Sequence, residues 1–379
     1  MKNVAIMIFS NSMGGAESVA EEILSYIDKK EFKVHLITND EIIDSFDVKY
    51  ITKHSIGKLF THNFVQKLSR KVIGNEFFYK LITRLKLRKL ENIIKENRIE
   101  VIHSHLIYDH YLSSLIRLNN VRKVMTIHGS HGLDFNIKSK YNFKPKNTIK
   151  IYSKANIITS ACNYFINILR NNGLRNFDYK IIENGINLNL INEKNVNEIN
   201  NDFLNLTYLG GNRIVKGWDI LVKAVNILVH QYDKPLIILD VLRDVPIESD
   251  FYKMVNDFNL NDNFVFRGYI GNNDHLKYIS KNNLYILPSR TEGIANTLME
   301  AIGLGKPILA TDVGGTSEVI KHMSNGFLCE TTVESLVEGL IFFYDNKEKL
   351  NEFGFKNERI KVNYYWENII DKYEDIYKV

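Results

Sequence analysis

With 379 residues, 45% of them hydrophobic and 25% charged, the chain is long enough for two ordinary cores and too apolar to be disordered. The apolar run Val4 to Phe9 is too short for a membrane span or a secretory signal, no run of about eighteen apolar residues occurs, and Cys162 and Cys329, each beside a predicted strand end, read as buried thiols rather than a disulfide, so a cytoplasmic protein is expected. The net charge of +5 is unevenly spread, with thirteen Lys or Arg against three acids between Lys49 and Arg98, and such a block points to an anionic partner surface.

In chain order, Val4 to Phe9 reads as a strand, Ser10 to Gly15 as a loop, and Ala16 to Lys29 as a helix with Val19, Ile23, Leu24 and Ile27 on one face. Gly14 and Gly15 let backbone amides approach a diphosphate or an acceptor closely. The string SNSMGGAES does not supply the G-x-G-x-x-G of a dinucleotide-binding enzyme. Further strands are predicted at Lys33 to Thr38, Val101 to His105, Lys123 to Ile127 and Asn156 to Ser160, with helical patterns between them, which implies a parallel sheet wrapped by helices.

Within the basic block, Lys53 to Gly74 sets Leu59, Phe60, Phe64, Val65 and Leu68 among Lys58, Lys67, Arg70 and Lys71, a mixture suited to an anionic bilayer. Phe77 to Lys95 reads as a packing helix with a solvated basic face. Peripheral contact with the inner face of the cell membrane through residues 53–98 is therefore expected, and nucleic acid is not, because no RNA- or DNA-binding module is recognisable. His103 and His105 fall on one side of a strand, but HSHLIYDH matches no zinc spacing, and no metal site is expected.

Asn184 and Gly185 form a turn, and the polar stretch Asn187 to Asp202 reads as a linker, dividing residues 1–183 from 184–363. A second series follows: strand Leu204 to Leu209, loop Gly210 to Gly217, helix Trp218 to His230, and strands Leu236 to Asp240 and Phe264 to Phe266. In the loop LGGNRIVKGWD, Lys216 precedes a helix and is placed to meet a diphosphate. The backbone from Arg267 to Ile270, including Tyr269, is the expected cradle for a nucleobase.

The stretch Leu284 to Glu318 reads as strand Leu284 to Leu287, loop Pro288 to Gly293, helix Ala295 to Leu304 opening near Asn296 and Thr297, strand Pro307 to Ala310, then Gly314, Gly315 and Glu318. Glu292 and Glu300 bracket a helix start, where amides attract phosphate while carboxylates accept hydrogen bonds from sugar hydroxyls. A glycosidase-like acid pair is the competing reading of two nearby carboxylates.

S-x-x-E-G-x6-E-A, followed by G-x-P-I and Gly-Gly-x-x-Glu, resembles the E-x7-E signature of the GT4-type retaining glycosyltransferases of the GT-B fold. G-G-A-E at 14–17, the His128-Gly129 pair and N-G-I-N at 184–187 are similar to that family's first loop, donor-facing histidine and inter-domain turn. The resemblance implies an α/β protein of two Rossmann-like domains whose parallel sheets face a central cleft, with 1–183 as acceptor domain, 184–363 as donor domain, and a tail helix, 364–379, returning to the first.

It further implies a metal-independent retaining transferase. With no D-x-D in the chain to anchor manganese, the diphosphate charge falls to protein groups. The expected catalytic residues are Glu292, Lys216 and His128. The expected donor-binding residues are Gly14, Gly15, Arg213, Gly293, Ile294, Ala295, Asn296, Thr297, Glu300, Tyr269 and Ile270. No cofactor is expected besides a nucleoside-diphosphate sugar as co-substrate, UDP-sugar favoured, and the acceptor is a saccharide or a lipid-linked molecule in surface glycan synthesis. The chain departs from the family twice. Aligning Lys216 and Gly217 puts Gly211 at the family's arginine position with Arg213 two residues late, and Val241, Leu242 and Arg243 stand where a Gly-x-Gly is common. A nucleotide-sugar epimerase of the same fold and a non-catalytic binding partner of another transferase are the alternatives.

Overall fold

The computed structural model describes residues 1–58, 75–129, 133, 145–192, 204–234, 237–271 and 274–379. Most of the predicted bilayer segment Lys53 to Gly74, and residues 193–203 of the polar stretch, therefore lie outside the described residues. The chain divides into two compact units, Met1–Glu183 with Glu367–Val379, and Asn184–Trp366.

The first unit holds a seven-stranded sheet: β1 (Lys2–Met7), β2 (Phe32–Thr38), β3 (Thr52–Ser55), β4 (Val101–Ser104), β5 (Arg122–Ile127), β6 (Ile157–Ser160) and β7 (Tyr179–Ile181). The order is β3-β2-β1-β4-β5-β6-β7, every pair parallel. Helices cover both faces of such a sheet, so its central strands are buried on both sides rather than alternating between core and solvent. Val4 to Met7 are buried, as are all four residues of β4. The edge strands β3 and β7 carry TKHS and YKI, partly exposed; β3 for that reason does not stand out in the sequence, while β7 is the strand expected before the turn at Asn184.

The helix Asn75–Glu96 lays Leu90, Ile93 and Ile94 on Ala5, Met7 and Ile102. The helix Trp366–Lys378 closes this unit, with the Tyr377 hydroxyl 2.6 Å from His103 Nδ1 and Glu374 accepting from the Asp28 amide at 2.8 Å.

The second unit holds six strands: β8 (Leu204–Tyr208), β9 (Ile237–Val241), β10 (Phe264–Phe266), β11 (Leu284–Leu287), β12 (Ile308–Thr311) and β13 (Gly326–Cys329). Their order, β10-β9-β8-β11-β12-β13, is again parallel throughout. The core packs Leu206, Leu221, Ile286, Phe343 and Phe353 around Trp218, whose ring stacks on Phe251 at 5.0 Å. Both sheets run outward from their first strand in two directions. Each therefore has a switch point, between β1 and β4 and between β8 and β11, where loops leave in opposite directions and a crevice opens at the strand ends.

The sequence reading of a polar linker from Asn187 needs correction in its first part. A short helix, Leu188–Asn192, forms there because Ile186 and Ile191 pack against Gly303, leaving no room for a larger residue. Both cysteines are free and buried.

Candidate active site

The second unit's switch point is built from the loops that follow β8 and β11. After β8 the chain turns through Gly210 and Gly211, makes a single 3-10 turn at Ile214–Lys216, and enters the helix Trp218–Gln231. Tyr208, buried at the end of β8, directs its hydroxyl at the carbonyls of Gly211 and Lys216, 3.3 and 3.4 Å away, and so shapes this loop from beneath. Gly217 closes it in the left-handed region at φ 73, where an added Cβ would lie 1.8 Å from the Pro288 carbonyl oxygen. Only glycine allows the two loops to approach this closely.

That approach brings Lys216 to Glu292. Lys216 Nζ donates to Glu292 Oε1, and Ser289 Oγ donates to the same oxygen at 2.7 Å. The two charged side chains are largely buried, 21% and 10% exposed. The Glu292 backbone is held from its other side. Gly314, at φ 62, sits so close to the Glu292 carbonyl that a Cβ would meet it at 1.7 Å, while the Gly315 amide donates to the Gly293 carbonyl at 3.1 Å. The Gly-Gly of the motif is thus the clamp on the glutamate loop.

Sequence reasoning missed a second fastening. Arg290 forms a bidentate pair with Asp219, both bonds 2.6 Å, and also donates to the Ile214 carbonyl. Although burial pushes Asp219 upward, Arg290 holds its carboxyl below the usual range. The signal was one arginine in PSRTEG and one aspartate after KGW, unremarkable until the loops meet.

Ala295 caps the helix Asn296–Gly303 without a side-chain bond. Asn296 and Thr297 are its first two residues, next to the cap as expected. The Thr297 hydroxyl accepts from Tyr285 at 2.7 Å, and the Asn296 side chain from Asn184, which also donates to the Ile294 carbonyl at 2.7 Å. Glu300, one turn farther, pairs with His275 at 2.8 Å, a partner not anticipated. Arg213 is exposed and makes no ion pair among the described residues, and Tyr269 is 83% exposed beside a half-buried Ile270. Structure thus gathers Lys216 and Glu292 to Glu300 into one crevice, with Arg213, Tyr269 and Ile270 on flanking loops.

In the first unit, Gly14 caps the helix Gly15–Tyr26, and the loop before it is tied by a two-way bond between Ser10 and Asn39. Asp109, fully buried and unremarked in the sequence, accepts from the Phe9 amide at 3.2 Å and the Leu106 amide at 2.9 Å, joining the ends of β1 and β4. His128 follows β5, its Nε2 2.8 Å from His105 Nδ1 and its ring stacked on that histidine. Burial lowers it to about 4. His105 Nε2 has no partner among the described residues. No group of three or more His, Cys, Asp or Glu among the described residues is arranged to hold a metal ion.

Two family models match, "Glycosyltransferase Family 4" over residues 13–190 and "Glycosyl transferases group 1" over residues 191–359. An uncharacterised glycosyltransferase of Methanocaldococcus jannaschii is 24% identical over 100% of this chain and 98% of its own length. Among solved structures, Anabaena HepE in complex with UDP superposes with a TM-score of 0.77 at 16% identity, over 100% of both chains. The lipopolysaccharide outer core galactosyltransferase WaaB does so at 0.75 and 15% identity, also over 100% of both. These likenesses show the fold, two Rossmann-like α/β domains of the GT-B type. With the two family models spanning both units and the glutamate crevice assembled in the second, the chain belongs to the group 1 glycosyltransferases and is a glycosyltransferase.

Proposed function

We propose that this transferase moves a sugar, with retention and without a metal, from a nucleoside-diphosphate sugar to a hydroxyl of a saccharide or lipid-linked acceptor in surface glycan synthesis. The observation that carries this reading is the meeting of Lys216 and Glu292 across the switch point. Breaking the bond from the anomeric carbon to the diphosphate puts negative charge on the β-phosphate. Lys216 and the amides from Gly293 to Thr297 stabilise that charge, and preorganised donors of this kind usually do more for the rate than any other feature of such a site. Glu292 accepts from donor sugar hydroxyls and orients the ring, and Glu300 accepts from the ribose.

The acceptor oxygen bonds to the anomeric carbon on the face the phosphate leaves, and its proton passes to the departing phosphate oxygen. For Gly14, Gly15 and His128 we retain the roles that the family resemblance implies. The lack of a D-x-D motif supports metal independence. UDP is favoured because HepE is solved with it, and a glycan acceptor because WaaB acts on lipopolysaccharide outer core.

Thermal-shift screening against UDP-, GDP- and ADP-sugars tests the donor. Ligand at about 100 times its Kd stabilises by about 2.7 kcal/mol, and one base series is expected to raise Tm by several degrees. No shift with any of them, or an inverted anomeric configuration in the product by NMR, would overturn the reading.

We also propose contact with an anionic membrane surface. The described part of helix Asn75–Glu96 presents Leu81, Arg84, Leu85, Arg88, Lys89 and Lys95 on one exposed stripe, with Glu96 as its one acid and Leu85 55% exposed. Basic residues near such a surface contribute about 1 kcal/mol each, and the two leucines add apolar anchorage. The protein is expected to pellet with phosphatidylglycerol vesicles at low salt and less at high salt. Pelleting that is absent, or unaffected by both salt and Arg84→Glu with Arg88→Glu, would remove this proposal.

A further inference from the structure

Beside the glutamate crevice, at the end of β9, stands Arg243. Its φ of 92 lies in a region that L side chains rarely adopt, and such outliers concentrate at functional sites. The backbone is fixed there from two sides, because the Leu242 amide donates to the Tyr208 carbonyl at 2.9 Å and the Arg243 amide donates to the Gly268 carbonyl at 3.0 Å. The consequence is a side chain aimed across β8 rather than away from the sheet. Its Cβ and Cδ lie 3.2 and 3.9 Å from the point where a Cβ on Gly211 would be. Gly211 is the residue that aligns with the family's arginine.

The charge of Arg243 also acts on the crevice. The buried Tyr285 hydroxyl, bonded to Thr297 in the first turn of helix Asn296–Gly303, is pushed up by burial and by Glu300 and Glu292, and drawn down by Thr297 and by Arg243. The Arg243 charge is thus felt at the helix start, on the hydroxyl that Thr297 holds. Arg243 is exposed and, among the described residues, makes no ion pair that would neutralise it. Arg213, the nearest arginine in sequence to the vacated position, is exposed as well, but no backbone constraint of this kind directs it.

We infer that Arg243 supplies the cation missing at Gly211, its guanidinium crossing over that glycine to bind the diphosphate of the donor alongside Lys216. This rests on the donor reading above. A guanidinium matches two phosphate oxygens at once, which a backbone amide cannot do. It also joins both departures from the family pattern: the arginine that stands after β9 lies against the glycine that stands where the β8 loop lacks one.

Calorimetric titration with UDP, GDP and ADP, and ligand-observed NMR with the matching nucleosides, tests the assignment on the full chain. Arg243→Gly is the informative variant, since glycine tolerates the backbone conformation and the fold is expected to keep or raise its Tm. Affinity for the preferred diphosphate is expected to fall about 10- to 100-fold while that for its nucleoside stays unchanged, and Arg243→Lys is expected to fall between. Lys216→Ala serves as the reference loss.

If Arg243→Gly binds diphosphate within about twofold of wild type while Lys216→Ala does not, the inference fails and the donor reading stands. An equal loss for the nucleoside overturns the phosphate assignment in favour of a base contact. If the wild-type chain binds none of the three diphosphates, the donor reading itself fails and this inference with it.

Discussion

Replacing Glu292 with alanine is expected to lower the rate of sugar transfer by on the order of 10²- to 10³-fold, whereas replacing Glu300 with alanine is expected mainly to raise the KM for the donor, by about 10- to 100-fold. The two carboxylates differ in what surrounds them. Glu292 shares one oxygen with Lys216 and Ser289, and its backbone is clamped by Gly314 and Gly315, so its second oxygen has a defined direction. A group held this firmly costs little reorganisation when charge develops beside it, and its loss is felt in kcat.

Glu300 sits a turn along the helix against the partly exposed His275, and in the donor role proposed above it would hold a hydroxyl of the nucleotide equally before and during the reaction. Such uniform binding appears in KM. Glu292→Ala also leaves the largely buried Lys216 without its carboxylate, and about 1–3 kcal/mol of stability is expected to go with it. Glu292→Gln keeps the volume and part of the hydrogen bonding, and should recover stability without recovering rate. Steady-state kinetics with Tm measured on each variant decide the matter. The same kcat and KM changes in both glutamate variants would sink the division of roles.

Acidification is expected to unfold the first unit between pH 6.5 and about 4. His35, His103, His105 and His110 are all buried to within 1% of their surface, and burial lowers each one, His35 to about 4 and His110 to about 3. A histidine whose folded pKa is depressed binds fewer protons in the native than in the unfolded state over this interval. Its contribution to stability is therefore intact above the unfolded value near 6.5 and is lost as pH falls toward the folded value.

At about 1.4 kcal/mol per pH unit, one such residue removes about 3 kcal/mol by pH 4, and several together exceed what a domain of this size holds in reserve. The groups packed around the cluster do not rescue it. Tyr373 and Tyr377 are neutral neighbours from the closing helix, and His128 adds a further unwelcome proton. Among the described groups of this unit, Asp109 and Glu21, both raised by burial, work in the opposite sense, growing less unfavourable as pH falls. The described histidines of the second unit, His230, His275 and His322, are exposed or half-buried. Calorimetry at pH 7 and 5 is expected to show a transition falling by on the order of 10 °C. A Tm flat across that interval would contradict this account.

Particular residues show how far the chain could be read without coordinates. The two series of apolar strands, the breaks at Gly14, Asn184 and Gly217, and the spacing of Glu292 and Glu300 are local features, and local sterics and periodicity decide them. The edge strand Thr52–Ser55 was invisible because an edge strand need not be apolar, whereas Tyr179–Ile181 was legible as the strand before the Asn184 turn. The helix Leu188–Asn192 was invisible because its reason for forming is a glycine more than a hundred residues away.

The doubled α/β architecture is thus written in the chain itself. Who faces whom is settled only on folding. Lys216 meets Glu292 across 76 residues and Arg290 meets Asp219 across 71, because β8 and β11 are neighbours in the sheet though not in the chain. Arg243 leans over Gly211 because β9 lies on the other side of β8. Parallel sheets place side chains from separate crossovers at one edge, and no local pattern encodes that meeting.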